Sequence, residues 1–142
     1  MKYILGLSSL IILLHFTAAG QDFQEEIGSL LDQQAEAWNQ GNIDRFMQTY
    51  WQSDQLQFLN IEGPTHGWTS TLKNYYRRYP DRQAMGHLTF GIQDLVRHSK
   101  KSCTLIGTYH LERSGMENKE GHFLLVLQKI KGRWLIVADS TH

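Results

Sequence analysis

The apolar residues in the first third of the chain recur at three- and four-residue intervals, which is the period of an amphipathic helix. The first such stripe consists of Ile27, Leu30, Leu31, Ala35 and Trp38. It ends before Gly41, and glycine commonly follows the last turn of a helix. Asn42 then has a side chain that favours the start of a new helix. The stripe of this second helix consists of Ile43, Phe46, Met47 and Tyr50. The pattern therefore predicts two consecutive helices.

A short strand and a third helix are predicted next. Residues 56–61 alternate between apolar and polar side chains, which indicates a strand, and Gly63-Pro64 is typical of a turn. A helical wheel of residues 68–79 gives one aromatic side, and Pro80 ends the helix. The aromatic stripe consists of Trp68, Leu72, Tyr75 and Tyr79, and the basic residues off the stripe are Lys73, Arg77 and Arg78. A nucleic-acid-binding surface would carry both kinds of side chain on one face. The pattern therefore favours a wall of the fold with its aromatic face inward.

The period changes to two from residue 86 to the end of the chain, which predicts strands. One strand begins near residue 86, and three more span residues 103–113, 122–130 and 133–141. A polar loop, residues 114–121, and a tight turn at Lys131-Gly132 connect the last three strands. Because the helices come first and the strands last, the order favours the α+β class over alternating βαβ units. A single domain is predicted over residues 21–142.

Strand pairing divides the side chains of the last three strands between two faces. With a two-residue turn at Lys131-Gly132 and symmetric pairing about Glu117, one face is strongly apolar and should receive the helices. This inner face carries Leu105, Gly107, Tyr109, Leu111, Phe123, Leu125, Leu127, Trp134, Ile136, Ala138 and Ser140. The outer face carries Ile106, Thr108, His110, His122, Leu124, Val126, Leu135, Val137 and Asp139. A register shift of one residue would exchange the two sets and bring Asp139 into the interior.

The outer face of the predicted sheet is too apolar to face water alone. We therefore expect a second copy of the chain to cover it, in a homodimer. His110, His122 and Asp139 could converge on this face as a metal site, which would need at least three well-placed ligands. Histidines within a dimer interface are the favoured interpretation, and no metal or cofactor is expected.

The first twenty residues, MKYILGLSSLIILLHFTAAG, have the layout of a secretory signal peptide. Lys2 precedes an apolar run from Ile4 to Phe16, and small residues occupy positions 17–20. The apolar run is shorter than the roughly 20 residues that a membrane-spanning helix needs, so an uncleaved anchor is the less favoured alternative. We expect a secreted or periplasmic protein that does not contact the membrane after cleavage of residues 1–20.

Charge and cysteine content exclude several classes of site. The chain has 14 basic and 14 acidic residues, and loss of Lys2 with the signal peptide leaves 13 basic ones. A nearly neutral domain has no overall charge that would attract nucleic acid or an anionic membrane. Cys103 is the single cysteine, so the chain can form neither an internal disulfide nor a multi-cysteine metal site. A buried, unreactive thiol is expected at this position.

Four segments carry a family resemblance: QAEAWNQGNIDRFMQTYW (34–51), SDQLQF (53–58), GPTHGWTSTLKNYYRRYPD (63–81) and GRWLIVADST (132–141). They resemble the nuclear transport factor 2-like (NTF2-like) superfamily, and more narrowly its SnoaL-like and ketosteroid-isomerase-like branch, with exported calmodulin-kinase-association-like relatives. The resemblance implies a curved antiparallel sheet that wraps around the N-terminal helices and forms a cone with a pocket inside. This scaffold serves enzymes, binding proteins and assembly domains, so it does not define a function.

The resemblance also implies where the functional residues of the steroid isomerases would fall. In those enzymes a tyrosine and a protonated aspartic acid hold an oxyanion, and a second aspartate moves the proton. The tyrosine position falls on Gln34, and the proton-transfer position falls near Asn60. The position of the strand aspartic acid falls on Leu125 or Val126. None of these residues has the side chain that its role requires, so steroid isomerisation is disfavoured.

The inward-facing aromatic residues predict a pocket for a small apolar or aromatic molecule. The candidate ligand-binding residues are Trp38, Tyr50, Phe58, Trp68, Tyr75, Tyr79, Phe90, Tyr109 and Asp139. The simpler interpretation of the tyrosines is that their hydroxyl groups satisfy contacts within the core. Asp54 and Glu62 are weaker candidates for acids at the rim, since both are more typical of turns and solvated surfaces.

A small-molecule-binding protein is the function that these observations favour. One alternative is a cofactor-free isomerase, cyclase or dehydratase that uses acid–base chemistry in the same pocket. That alternative requires an ionisable group inside the cone, which Asp139 would supply after a shift in register. A third possibility is an assembly module with a vestigial pocket.

Overall fold

The computed structural model of the protein describes residues 15–142. Residues 1–14 of the predicted signal peptide lie outside the described residues, so cleavage and export stay predictions. Residues 15–20 belong to the first helix. No helix within residues 15–142 is long and apolar enough to cross a bilayer.

Four helices are present in the described residues: α1 (His15–Asn39), α2 (Ile43–Met47), α3 (Trp68–Arg78) and α4 (Arg82–Met85). The first three are predicted, whereas α4 is too short to show a periodic stripe. Gly41 has a φ of 76°, the left-handed conformation that follows many helices and that glycine adopts without strain. The side chain of Asn42 accepts a hydrogen bond from the N–H of Arg45 at 2.8 Å and so caps α2, as its residue type predicts.

Six strands form one curved, unclosed sheet. They are β1 (Gln57–Asn60), β2 (Gly63–His66), β3 (His87–Ser99), β4 (Ser102–Glu112), β5 (Lys119–Ile130) and β6 (Arg133–Thr141). Their order across the sheet is β2-β1-β6-β5-β4-β3. Neighbouring strands run antiparallel except β1 and β6, which run parallel. Helices followed by a mainly antiparallel sheet confirm the predicted α+β class.

Gly63-Pro64 does not form the predicted turn. Both residues lie in β2, where Gly63 pairs with Asn60, so the turn falls on Ile61 and Glu62. Proline is tolerated because β2 is an edge strand, where a missing N–H need not remove a hydrogen bond between strands.

The helices pack against the inner face of the sheet, where the predicted residues of β4 and β5 form the floor of the core. The buried ones are Leu105, Gly107, Leu111, Phe123, Leu125 and Leu127. β4 and β5 pair about Gly115 and not about Glu117, a shift of an even number of residues that leaves the two faces as predicted. Cys103 is buried beside this floor, and burial raises the pKa of its thiol to about 11. This cysteine is therefore a packed apolar group, as expected.

A β-bulge in β6 changes which side chains point inward. Up to the pair of Leu127 with Ile136, β5 and β6 keep the register of the predicted two-residue turn. The next pair joins Val126 to Ala138, so Val137 is an extra residue on β6. An extra residue of this kind interrupts the alternation of side chains between the two faces.

The bulge corrects the predicted faces at the end of β6. Asp139, predicted on the outer face, points inward and is 6% exposed. Ala138 and Ser140, predicted inside, are half-buried on the opposite side of the strand. Because side-chain direction has a period of two, one additional residue reverses every side chain that follows it. His110 and His122 remain on the outer side, so they cannot share a metal ion with Asp139.

Candidate functional site

A cavity of about 360 Å³ lies between the helices and the inner face of the sheet. Eight of the nine predicted ligand-binding residues line it: Trp38, Tyr50, Phe58, Tyr75, Tyr79, Phe90, Tyr109 and Asp139. Trp68 does not line it. Its indole N–H donates to the carbonyl oxygen of Met47 at 2.8 Å, which joins α3 to α2. The structure therefore gathers eight of the predicted residues around one space and makes Trp68 a structural residue beside them.

Hydrogen bonds at the end of α1 hold Trp38 towards the cavity. Its indole N–H donates to the carbonyl oxygen of Met85 at 3.1 Å. The side chain of Asn39 accepts from the N–H of Leu88 at 2.7 Å and donates to the carbonyl oxygen of the same residue at 3.0 Å. These bonds fix the last turn of α1 to α4 and β3, so the Trp38 ring keeps one orientation.

The ring of Tyr75 packs edge-on against three other rings. Its centroid lies 5.2 Å from that of Phe46 and 5.8 Å from that of Phe58. The distance to the Trp38 centroid is 6.0 Å, with an interplanar angle of 75°. Tyr79 lies 4.8 Å from Trp38 in the same geometry. Edge-to-face contacts add stabilisation to the burial of apolar area, and α3 presents its aromatic face to the cavity as predicted.

Asp139 provides an acidic side chain inside this aromatic cavity. Its Oδ2 accepts a hydrogen bond from the hydroxyl group of Tyr50 at 2.7 Å. Its Oδ1 accepts from the hydroxyl group of Thr141 at 2.6 Å. The hydroxyl oxygen of Tyr75 lies a further 3.4 Å beyond that of Tyr50. The three side chains Asp139, Tyr50 and Tyr75 therefore form a polar chain that runs from β6 to α3, which we call the Asp–Tyr–Tyr chain.

Burial is the largest influence on the pKa values of the Asp–Tyr–Tyr chain. It raises the pKa of Asp139 to about 6, although the hydrogen bonds from Thr141 and Tyr50 oppose the increase. Burial also raises the pKa of Tyr50 and of Tyr75 well above the usual 10.0, and the charge of Asp139 adds to both increases. At neutral pH Asp139 is therefore mostly ionised, while both tyrosines keep their protons.

Within the Asp–Tyr–Tyr chain, this arrangement leaves one hydroxyl proton for a ligand. Tyr50 has a single proton and donates it to Asp139, because an ionised carboxylate can only accept. The 3.4 Å between the Tyr50 and Tyr75 hydroxyl oxygens exceeds the length of an ordinary O–H···O hydrogen bond. The hydrogen bond from Tyr75 to Tyr50 is therefore weak. Little stabilisation is lost when Tyr75 turns its proton towards an acceptor in the cavity, such as a carbonyl oxygen.

Two cations border the same cavity. Arg78, the last residue of α3, and Lys119, the first residue of β5, lie 5.9 Å and 5.1 Å from the centre of the Tyr79 ring. The helical wheel places Arg78 off the aromatic stripe, but its long side chain reaches back to the cavity from the end of the helix. The sequence pattern includes Lys119 in a polar loop, whereas the early start of β5 brings it to the cavity.

Two polar residues also line the cavity. Gln34 and Asn60, which correspond to two isomerase positions, are buried there. The Gln34 amide donates to the hydroxyl of Thr49 at 2.7 Å, and the Asn60 side chain accepts from the N–H of Glu62 at 2.9 Å. Both side chains therefore have structural partners. The family resemblance is the one sequence signal that points to them.

The weaker candidate residues lie elsewhere. Glu62 forms an exposed salt bridge with Arg77 at 2.8 Å, and the hydrogen bond from this guanidinium group lowers the pKa of Glu62. Asp54 is exposed in the connection between α2 and β1. The imidazole of His110 lies 3.3 Å from the carboxyl group of Glu120. Within residues 15–142, no three His, Cys, Asp or Glu side chains lie close enough together to hold a metal ion.

Solved structures resemble this fold, although no family model and no curated protein matches the sequence. An NTF-2-like protein of unknown function from Shewanella oneidensis MR-1 is 36% identical, with a TM-score of 0.79 over 83% of this chain and 97% of that chain. A nuclear transport factor 2-like superfamily protein from Salmonella enterica is 16% identical, with a TM-score of 0.65 over 87% and 92%. A ketosteroid isomerase-like protein from Erwinia carotovora atroseptica is 15% identical, with a TM-score of 0.64 over 82% and 92%. The two lower identities show a shared fold alone.

The buried carboxyl group of Asp139 predicts a pH-dependent stability. Its pKa is raised from 3.8 to about 6, so the folded protein binds this proton more tightly than the unfolded chain. The contribution of Asp139 to stability therefore falls as the pH rises through the interval between these two values, and the loss is complete above it. Since one pKa unit corresponds to about 1.4 kcal/mol, the loss should reach about 3 kcal/mol.

Asp139→Asn does not titrate. Its free energy of unfolding relative to that of the wild type should therefore increase by about 2 kcal/mol between about pH 4 and about pH 8, which is most of the full loss. Urea unfolding of both proteins at each pH measures this difference. Asp94→Asn, at an exposed position on β3, is the matched control and should show a nearly constant difference. A constant difference for Asp139→Asn as well would show that this carboxyl group is not buried.

Proposed function

We propose that this chain, which belongs to the NTF2-like family, binds a small apolar or aromatic molecule that carries a carbonyl or hydroxyl oxygen. The observation that carries the proposal is the Tyr75 hydroxyl group, which lies in an aromatic cavity and has a long hydrogen bond of 3.4 Å to Tyr50. Small-molecule pockets are typically apolar, with a few polar groups that orient the ligand. A volume of about 360 Å³ is within the range for such sites.

The second candidate function is a cofactor-free enzyme that moves a proton next to a carbonyl group, and Asp139 is the observation that favours it. A general base is most effective when its pKa lies near the operating pH, and burial raises the pKa of Asp139 to about 6. Leu125, one of the two positions that correspond to the strand acid of the steroid isomerases, pairs with Asp139 across β5 and β6. The carboxyl group is therefore displaced by one strand from the isomerase position.

Tyr75→Phe tests the binding proposal with 2-acetylnaphthalene, a neutral aromatic ketone, as the probe. The change keeps the packing of the ring and removes the donor to the ketone oxygen. The loss of one hydrogen bond should weaken binding about tenfold. Tyr76→Phe is the matched control, because the Tyr76 hydroxyl group lies on the exposed side of the same helix and donates to Asp44 at 2.9 Å. Quenching of tryptophan fluorescence measures the affinity.

Equal affinity of the two variants would contradict the role of Tyr75, and a wild type that does not bind the ketone would contradict the proposal. The same mixtures in D2O distinguish the second candidate. A base at Asp139 would remove a methyl proton next to the carbonyl group and a deuteron would take its place, which proton NMR detects. Asp139→Asn should abolish this exchange. A ketone that binds and gains no deuterium supports binding without catalysis.

We also propose that a second copy of the chain covers the outer face of the sheet. Ile106 and Leu124 pair in register across β4 and β5 and are 37% and 41% exposed. Val96, on β3, is 42% exposed. Exposed apolar side chains that cluster on one surface are typical of protein contacts. A second copy offers the same face, so the two faces can meet about a two-fold axis.

Leu124→Lys should convert such a dimer to monomers, because a charge buried without a partner is strongly unfavourable. The exposure of Leu124 means that the folded monomer tolerates the lysine. Gln128→Lys, two steps of the alternation further along β5 and on the same side, is exposed in the structure and is the matched control. Sedimentation velocity measures the mass. A monomeric wild type, or a Leu124→Lys variant that still forms dimers, would contradict this proposal.

A further inference from the structure

The proposed function uses the Asp–Tyr–Tyr chain and leaves the two cations of the cavity, Arg78 and Lys119, without a role. Both cations lie beside the ring of Tyr79, whose centroid is 6.2 Å from that of Tyr75, whereas Asp139 reaches Tyr75 through the Tyr50 hydroxyl group. Burial is the main cause of the raised pKa of Tyr75. The charge of Asp139 adds to this increase and the charge of Arg78 opposes it, so charges at both ends of the cavity act on Tyr75. The pKa of Asp139 is set by burial, Thr141, Tyr50 and His142. The cavity therefore has an acidic end and a basic end, with aromatic rings between them.

The positive charge at the basic end is not neutralised by the protein. Neither Arg78 nor Lys119 forms a salt bridge with any residue in the described part of the chain. Burial lowers the pKa of Lys119, and the neighbouring charges of Arg78 and Arg113 lower it further, against a smaller opposing effect of Glu62. Two like charges thus lie within 6 Å of the Tyr79 ring at a half-buried site, which is favourable when an anion joins them.

Two neighbouring acidic side chains are engaged elsewhere. Glu62 is bound to Arg77 at 2.8 Å on the solvent side of α3. Glu120, which follows Lys119, is directed to the outer face, where it lies 3.3 Å from His110. Neither of these two carboxylates therefore neutralises the basic end.

We propose that the ligand is an apolar or aromatic carboxylic acid whose carboxylate is held by Arg78 and Lys119, with its ring or chain inside the cavity. This inference rests on the proposed function and adds the charge of the ligand and its direction of entry. A guanidinium group binds a carboxylate through two parallel hydrogen bonds, and an ammonium group adds a mobile point charge. The opposite orientation would bring the carboxylate against the ionised Asp139, which like-charge repulsion disfavours.

Binding of 2-naphthoate and of its neutral methyl ester tests the inference near pH 7. The wild type should bind the acid at least about tenfold more tightly than the ester, because the carboxylate makes charge-assisted contacts that the ester cannot make. Arg78→Gln and Lys119→Gln should each weaken binding of the acid by about tenfold and leave the affinity for the ester within about twofold. Arg77→Gln is the matched control, since this neighbouring cation points to solvent and pairs with Glu62. The melting temperature of each variant shows that it is folded.

Equal binding of acid and ester by the wild type would overturn the inference, and so would Arg78 and Lys119 variants that bind the acid like the Arg77 control. Either result leaves the proposed function intact as long as 2-acetylnaphthalene still binds and responds to Tyr75→Phe. If neither the acid, the ester nor the ketone binds to the wild type, the proposed function fails together with the inference.

Discussion

One extra residue in β6, Val137, brings the acidic side chain of Asp139 into the cavity. Before it, Ile136 pairs with the segment that carries Tyr50: its N–H donates to Thr49 at 3.0 Å, and its carbonyl accepts from Trp51 at 2.9 Å. After it, Asp139 pairs with Phe58 of β1. The bulge therefore lets one strand hold two different partners and turns the Asp139 side chain towards Tyr50. Without it, the Tyr50 hydroxyl would lie in an aromatic interior with the distant Tyr75 as its partner, at a cost of about 1–3 kcal/mol for a poorly satisfied donor.

The consequence is a site that carries a cost in stability at neutral pH. A carboxyl group whose pKa burial raises to about 6 destabilises the fold at neutral pH. A leucine or an asparagine would avoid this penalty. Ionisable groups with strongly shifted pKa values cluster at functional sites. The aromatic rings around Tyr75 and the two cations complete an environment with three distinct parts: apolar walls, the Tyr75 hydroxyl donor, and positive charge beside Tyr79.

The sequence predicts three of the four helices, five of the six strands of the described residues and the aromatic lining well, because each follows from a period in the hydrophobic pattern. Leu105 and Leu125 lie where the alternation places them, and Tyr75 and Tyr79 lie on the side that the helical wheel gives. The direction of Asp139 could not be obtained in this way, because a bulge leaves no mark on a pattern of period two. From the sequence, a register shift can be stated only as an alternative to the simplest strand pairing.

The residues that the pattern misses are those placed by the ends of elements and by reach. Arg78 returns to the cavity from the last turn of α3, and Lys119 joins it because β5 begins inside a polar stretch. A helical wheel gives the direction in which a side chain leaves the helix, not the place where a long flexible chain ends. Trp68 shows the opposite error: it lies on the predicted stripe, yet its indole is bound to Met47 and stays outside the cavity.

The most direct measurement of the central contact is a carbon-13 NMR titration of the Asp139 carboxyl group in the wild type and in Tyr50→Phe. The bulge and the burial predict a midpoint at about 6 in the wild type. The midpoint should be higher in Tyr50→Phe, because the hydrogen bond from Tyr50 lowers the pKa of Asp139. A wild-type midpoint near that of an exposed aspartate, about 3.9, with no change in Tyr50→Phe, would show that Asp139 faces away from the cavity.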